Sequence, residues 1–261
     1  MDTDRQIYEQ ALGWVREAGS LILKRMEQTI HIQVKKNHAD LVTVVDREVE
    51  AFFVNNIQQY YADHNILGEE NIGNRLSDSP YLWIIDPIDG TTNFINRKKD
   101  FAISVALCNG DQGIFGIVYD VMADHFYCAF HGEGAFLNEN KLGPLKSSSI
   151  ETELLVVNAP RQNLLEMSRW EPLHILTGKA RGVRSYGATT IELCDVMTGM
   201  LGGYVQAEVN AWDYAACRII LEEIGGKFTD LQGNEINRVY KGGLVAAGSP
   251  LHEEIIRALN K

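Results

Sequence analysis

Asp86 and Asp89 lie in the stretch Tyr81-Leu82-Trp83-Ile84-Ile85-Asp86-Pro87-Ile88-Asp89-Gly90-Thr91-Thr92-Asn93-Phe94. Residues 82–85 contain no polar side chain, the pattern of a strand buried on both faces. A carboxylate directly after such a strand is costly unless something pairs with it. Two carboxylates three positions apart also repel each other, and a cation between them is the natural remedy. Their hard oxygen donors select Mg²⁺, Mn²⁺ or Ca²⁺ over zinc. Pro87 fixes its own φ and holds Asp86 extended. Gly90 permits a turn in which the Ile88 carbonyl can face the same way as the carboxylates. Thr91, Thr92 and Asn93 can then open a short helix whose N–H groups suit a phosphate. A cation site beside an anion site is the arrangement for phosphoryl transfer to water. Taken alone, a turn rich in Asp, Gly and Thr is equally an ordinary Asx-turn and helix cap, so partners elsewhere must decide.

Two further acidic groups stand at similar places. Gly68-Glu69-Glu70 follows the apolar run Ile66-Leu67, so at least one Glu can point at the same cleft. In Ala211-Trp212-Asp213-Tyr214-Ala215-Ala216, Asp213 opens a strongly helical stretch. Each alone reads as a solvated acid or a first-turn acid. Together they stand where regular structure begins or ends, as active sites of open α/β sheets do. No covalent nucleophile is called for: there is no GxSxG or HExxH, and the histidines do not cluster, so each is expected at the surface or in packing. Gly132-Glu133-Gly134 lacks the third glycine and following helix of a dinucleotide loop and reads as a hairpin turn.

The elements that must position these groups follow from periodicity. Tyr8, Ala11, Leu12, Val15, Ala18, Ile22, Leu23 and Met26 predict a long amphipathic first helix. A strand is expected at 31–35, a loop at 37–40, and a second helix from Asp46 to about residue 61, with Asp46 as its cap or first-turn acid. A short strand at 65–67 and a surface loop at 71–80 precede the central stretch. Strands at 101–108, 113–121 and 125–130, the last continuing to 136, are separated by turn signals and predict a largely antiparallel sheet. Lys146-Ser147-Ser148-Ser149 marks a composition change. Beyond it strands (154–157, 182–186, 202–207, 227–229, 244–247) and helices (162–170, 189–197, 212–224, 250–259) alternate. The expected division is therefore an N-terminal α+β half, 1–146, carrying the acidic motifs, and a smaller C-terminal α/β half, 147–261, completing the site. Two sheets layered with helices result.

Composition narrows the function classes. The chain has 261 residues, 45% hydrophobic and 23% charged, which is ordinary for a soluble globular protein. A formal charge of −11 argues against unspecific binding to nucleic acid or an anionic membrane. No apolar run approaches the roughly 20 residues of a membrane helix, and Met1-Asp2-Thr3-Asp4-Arg5 shows no secretory signal. Cys108, Cys128, Cys194 and Cys217 are scattered through apolar stretches and are expected as buried free thiols. A cytoplasmic protein is expected.

Gly68-Glu69-Glu70, Asp86-Pro87-Ile88-Asp89-Gly90-Thr91-Thr92-Asn93-Phe94 and Trp212-Asp213-Tyr214-Ala215-Ala216 together resemble the inositol monophosphatase family of Mg²⁺-dependent, lithium-sensitive phosphatases. The motifs occur in the family's order and spacing. Weaker matches are Asp40-Leu41-Val42-Thr43 leading to Asp46, and Gly187-Ala188-Thr189. The resemblance covers essentially the whole chain and implies an αβαβα layered sandwich, a homodimer, and two to three Mg²⁺ ions per subunit, with Mn²⁺ a possible substitute. It implies Glu69, Asp86 and the Ile88 carbonyl as ligands of a first metal. Asp86, Asp89 and Asp213 would hold a second, and Glu69 would help hold a third through water. Asp46 and Thr91 would orient and activate the attacking water. Gly90, Thr91, Gly187, Ala188, Thr189, Gln206 and Asp213 would line the substrate.

One position departs from the family pattern. Inositol-selective members carry Glu seven residues before the Asp of the WD motif, where this chain has Gln206. Gln still hydrogen-bonds a hydroxyl, but it donates as well as accepts and has no charge. Glu208, two residues on, would compensate if it shared a strand face. Inositol monophosphate therefore leads as the expected substrate, hydrolysed by metal-activated water. NADP(H) and fructose 1,6-bisphosphate are the rivals on the same scaffold. A role in an RNA-bound transcription complex is the reading from a different class. The acid excess and the lack of a Lys/Arg run speak against it.

Overall fold

The computed structural model describes residues 3–28, 32–34, 41–146, 148–158 and 171–261. Helix α1 (Thr3–Met26) buries Ile7, Tyr8, Ala11, Trp14, Val15, Ala18 and Ile22, all on one face. Strands β1 (Ile32–Val34) and β2 (Leu41–Thr43) form an antiparallel pair. Thr43 then caps α2 (Val44–Tyr60): its hydroxyl accepts the N–H groups of Val45 and Asp46, and Asp46 returns a bond to the Thr43 N–H. Such a capping box stabilises a helix by about 1 kcal/mol.

Seven strands form the larger sheet: β3 (Asn65–Gly68), β4 (Tyr81–Asp89), β5 (Ala102–Asn109), β6 (Gln112–Asp120), β7 (His125–Phe130), β8 (Ala135–Leu137) and β9 (Asn140–Lys141), in sequence order. Only β3 and β4 pair in parallel. A short helix, α3 (Thr91–Asn96), separates β4 from β5. After a 3₁₀ turn at Ile150–Thr152 come β10 (Leu154–Asn158), α4 (Glu171–Lys179), β11 (Gly182–Arg184), α5 (Thr189–Thr198), β12 (Gly203–Val209), α6 (Ala211–Glu222), β13 (Gly226–Thr229), β14 (Gly242–Gly248) and α7 (Ser249–Leu259). The second sheet has the order β11-β10-β12-β14-β13. Its first three strands are parallel and the rest antiparallel.

Side-chain alternation along the strands stacks the layers. Trp83 and Ile85 of β4 face α1 and α2, in a core that includes Val15, Val49 and Phe53. Leu82 and Ile84 face the other way, into a core shared with Leu193, Tyr214 and Ile220 of α5 and α6 and with Val156, Tyr204 and Leu244 of the second sheet. Leu155, Val205 and Val245 cover that sheet's far face against Leu173 of α4 and Leu251 and Ile255 of α7. The result is the expected αβαβα sandwich. Burial on both faces explains why β4 shows no polar alternation.

Three local expectations change. The region after Ile85 is a continuation of β4 to Asp89 rather than a turn, and β7 ends at Phe130 before a turn leads into β8. Helix α4 occupies 171–179, where no helix is expected from periodicity. Pro172 is its second residue, a position whose N–H has no intrahelical partner to lose. The strand expected at 31–35 is present over 32–34. The helix expected at 162–170 and the loop at 37–40, with Asp40, lie outside the described residues. All four cysteines are buried and free, and Gly132 and Gly134 sit in a hairpin turn, as expected.

Candidate active site

A bulge at the end of β4 sets the carboxylates. In a regular strand, residues three apart face opposite sides. Here Asp86 lies opposite Ser104 and Asp89 opposite Ala102, three residues against two, so one residue is extra. Pro87 stands in the bulge, where a missing N–H breaks no ladder bond. The Ile88 N–H turns back to Asp86 Oδ1 at 3.0 Å. The extra residue places Asp89 on the side of Asp86, and the two carboxylates act on each other electrostatically. Gly90 follows at φ 87°, a left-handed conformation that other residues rarely adopt.

Glu69 and Asp213 complete the group. Glu69 follows β3, its N–H bonded to the Ile85 carbonyl at 3.2 Å. Asp213 is the third residue of α6 and accepts the Asn210 N–H at 2.7 Å. Ser104, opposite Asp86, donates to the Trp212 carbonyl and so ties the start of α6 to the sheet. Burial and then the charges of Glu69, Asp89 and Asp213 hold the Asp86 carboxyl well above the usual range. Burial first, against the bonds from Thr190, raises Asp89 to about 6. Burial first, with Asp89 and Glu69 adding to it, raises Asp213 to about 8. No Arg or Lys is among the leading influences on these three acids. Protons or a bound cation would balance these three buried acids. Their all-oxygen donors fit a hard divalent ion. Among the described residues, no three carboxylate, imidazole or thiol groups are already closed into a ligand cage. Asp86, Asp89 and Asp213 each hold one oxygen on a protein donor.

Thr91 and Asp46 form the adjoining pair. Thr91 Oγ1 lies 3.0 Å from Asp46 Oδ1 and 3.1 Å from the Ile88 carbonyl. Asp46 is fully buried; among the described residues Thr43 holds its second oxygen and Thr91 reaches its first. Burial raises the Asp46 carboxyl despite those bonds.

Of the expected substrate residues, Gly90 packs against Ala188 so closely that a Cβ would meet the Ala188 methyl at 2.8 Å. Gly187 takes φ 82° beside the Asn93 amide. Thr189 bonds the Tyr204 hydroxyl at 3.0 Å. Among the described residues, no bond joins Gln206 to the cluster: its Nε2 donates to the Glu208 carbonyl, and its Oε1 is buried with no partner there. Glu208 does not compensate for it. A register shift after Gln206 leaves the Glu208 side chain exposed, 3.8 Å from Lys241.

Five residues beyond the expected ligand, proton-handling and substrate residues support the site. Thr190 donates its N–H and hydroxyl to Asp89 Oδ2. Asn93 donates to the carbonyls of Asp100 and Tyr186, both at 2.8 Å. Glu192, 1% exposed, receives the N–H groups of Tyr186 and Gly187. Thr43 holds Asp46, and Glu50 lies buried beneath the Glu69 loop. A Thr-x-x-Asp capping box was a legible signal for Thr43. An acid on the buried stripe of Val49, Phe53 and Ile57 was the signal for Glu50.

Comparison with known proteins agrees with this architecture. Residues 3–261 match the sequence profile described as Inositol monophosphatase family. The Inositol-1-monophosphatase of Bacillus subtilis (strain 168) is 39% identical over 254 residues, covering 96% of this chain and 95% of its own. An inositol monophosphate-bound SaIMPase-II superposes with a TM-score of 0.85 at 31% identity, over 97% of this chain and 92% of the other. An IMPase/NADP phosphatase complexed with Mg²⁺ and phosphate gives a TM-score of 0.90 at 26% identity, over 99% and 97%. Fold and sequence thus define a Mg²⁺-dependent phosphomonoesterase that acts on a small phosphorylated substrate. The chain belongs to the inositol monophosphatase family.

Proposed function

We propose that the protein hydrolyses inositol monophosphate, or a closely related small phosphorylated alcohol, at the carboxylate cluster of Glu69, Asp86, Asp89 and Asp213. The observation that carries this reading is the gathering of Glu69, Asp89 and Asp213 around the buried Asp86, set beside the Thr91–Asp46 pair. Glu69, Asp86 and the Ile88 carbonyl would hold one Mg²⁺; Asp86, Asp89 and Asp213 would hold another, and Glu69 would contribute to a third. When bound, the ions supply charge neutralisation and Lewis acidity toward water and phosphate. The protein's own part is proton handling and orientation. A water donates to Thr91 Oγ1, the Thr91 hydroxyl donates to Asp46 Oδ1, and Asp46 draws the proton away from the attacking oxygen. Thr43 holds the other Asp46 oxygen, so the acceptor keeps its direction. The turn at 187–189, held by Asn93, Glu192 and Thr190, lines the phosphate side together with Gly90.

Residues to 146 would carry most of the metal ligands, and residues 147–261 would complete the site with Asp213 and the substrate turn. A cytoplasmic, lithium-sensitive homodimer without nucleic-acid partners completes the reading. Among the described residues, no helix is long and apolar enough to cross a membrane.

NADP(H) is the second reading. It is supported by the uncharged Gln206 and by the IMPase/NADP phosphatase relative, which is also known complexed with NADP and Ca²⁺ at a TM-score of 0.90. Fructose 1,6-bisphosphate shares the argument from charge. The test is phosphate release from inositol 1-phosphate, NADP and fructose 1,6-bisphosphate, with Mg²⁺, with chelator and with lithium. Inositol 1-phosphate is expected to give the highest kcat/KM. A preference of tenfold or more for NADP would put the second reading first.

A further inference from the structure

Glu50 is an acid that the chemistry above does not use. It is 0% exposed, one helical turn after Asp46 on α2. Its Oε2 accepts the Glu70 N–H and its Oε1 accepts the Ile72 N–H, both at 2.7 Å. Among the described residues these are its only hydrogen bonds, and no Lys or Arg there is paired with it. The carboxylate also lies against Gly68, where a Cβ would come within 2.5 Å of it. A side chain at 68 would therefore have to displace the Glu50 carboxylate from its two N–H partners. On the other side, Asn74 binds both Gly68 backbone groups, at 2.7 and 3.2 Å. Glu69 is thus held by its two neighbours: Gly68 on Asn74 and Glu70 on Glu50.

Burying a carboxylate is costly. An amide of the same shape would present an NH₂ to one of the two N–H groups and leave that donor unsatisfied. The two oxygens of a carboxylate serve both donors at once. Because Asp46 and Glu50 are four residues apart on one helix, they share a face. The helix that carries the proposed proton acceptor therefore also fixes the loop that carries Glu69.

We propose that Glu50 is a positioning residue that pins the Gly68–Ile72 loop so that Glu69 faces Asp86 ready to bind a divalent cation. The proposal rests on the assignment of Glu69 as a metal ligand. Residues that orient ligands from behind commonly change metal affinity about 10- to 100-fold. The experiment uses the full chain, freed of metal, with Glu50→Gln, Glu50→Asp and Glu69→Gln beside the wild type. Mn²⁺ binding is read by calorimetry, and backbone exposure at 68–72 by amide hydrogen exchange without metal. In Glu50→Gln the amides of Glu70 and Ile72 are expected to lose protection, and Mn²⁺ to bind about 10- to 100-fold more weakly. Glu50→Asp, which keeps the charge but withdraws it by one methylene, should behave alike. Wild-type Mn²⁺ affinity in either folded variant overturns the proposal, as does failure of both to fold, which would make Glu50 a requirement of the core alone. If Glu69→Gln binds Mn²⁺ as the wild type does, the metal assignment itself falls and the positioning role with it. Weakened binding in Glu69→Gln but not in the Glu50 variants removes only the positioning role.

Discussion

The end of β4 and the middle of β12 face the same internal layer, yet they treat their polar groups in opposite ways. At the end of β4, Asp86, Asp89 and Thr91 are bound to Ile88, Thr190 and Asp46 before any substrate arrives. On β12, Tyr204 bonds Thr189, but Gln206, two residues on and on the same face, keeps a buried Oε1 without a partner. A group already oriented by the protein needs no reorganisation during reaction. A buried acceptor without a donor costs about 1–3 kcal/mol until something donates to it. On the proposed reading, the groups of the chemical step are oriented by the fold, whereas Gln206 would be completed by the substrate alcohol.

The first way to break that contrast is to remove charge from the built-in side. Asp89→Asn keeps the shape but leaves Thr190 facing an amide. Loss of cation-based charge stabilisation is worth several kcal/mol, so turnover should fall at least about 10³-fold. Phosphate release at saturating Mg²⁺, with circular dichroism to check the fold, measures it. Near-normal turnover would mean that the carboxylate cluster is not the centre of the chemistry. Thr91→Val comes next. It cuts the proton path to Asp46 and is expected to lower kcat by about 10²–10⁴-fold with little change in KM. Asp46→Asn should cost a similar factor, and the double variant no more than the worse single one, because the two act as a unit. Additive losses would show that Asp46 and Thr91 work separately.

A third test concerns the balance of charge. Asp89 is raised to about 6 and Asp213 to about 8, and Asp86 is held well above the usual carboxyl range, all first by burial. These folded-state values lie above the ordinary carboxyl value, so the native state holds protons that the unfolded chain has lost. That stabilisation is fully present below about pH 4 and is lost as pH rises through about 6 to 8. The metal-free protein should therefore melt at progressively lower temperature from pH 5 to pH 8. Mg²⁺ competes with those protons and replaces their effect, so its gain in Tm should be larger at pH 8 than at pH 5. For a chain of this size each kcal/mol corresponds to about 2–4 °C. An equal gain at both pH values would show that the cluster is not protonated in the absence of metal.

How much could be read beforehand follows the same division. The three acidic motifs were legible because each places charge where an apolar run ends or a helix begins, and the layered fold was legible because the strand and helix periods differ. The bulge that puts Asp86 and Asp89 on one side was not, since a bulge depends on the pairing with β5. Pro87 was its only local sign. The supporting bonds of Thr190, Asn93 and Glu192 were not legible, although Asn93 stands in the central motif, because their partners lie far along the chain or in the backbone. The condition set for Glu208, a shared strand face, fails for a related reason: the register shift after Gln206 breaks the alternation that would have aligned the two side chains.

The smallest predicted effect tests the unfinished side. Gln206→Glu adds one negative charge and replaces an amide that now donates to the Glu208 carbonyl. The new carboxylate accepts hydrogen bonds only, so it favours an alcohol that brings several hydroxyl donors and disfavours one that brings a second phosphate. Near a solvent-open site, repulsion between unit charges is worth on the order of 1–2 kcal/mol after screening. The ratio of kcat/KM for inositol 1-phosphate over NADP should therefore rise about tenfold, with a similar shift against fructose 1,6-bisphosphate. The kcat for inositol 1-phosphate should change little, because among the described residues no bond joins Gln206 to the carboxylate cluster. If the ratio stays within twofold, selection lies elsewhere and the contrast between the two strands loses its functional meaning. If instead kcat collapses for every substrate, Gln206 belongs to the reacting centre, and the built-in region extends onto β12.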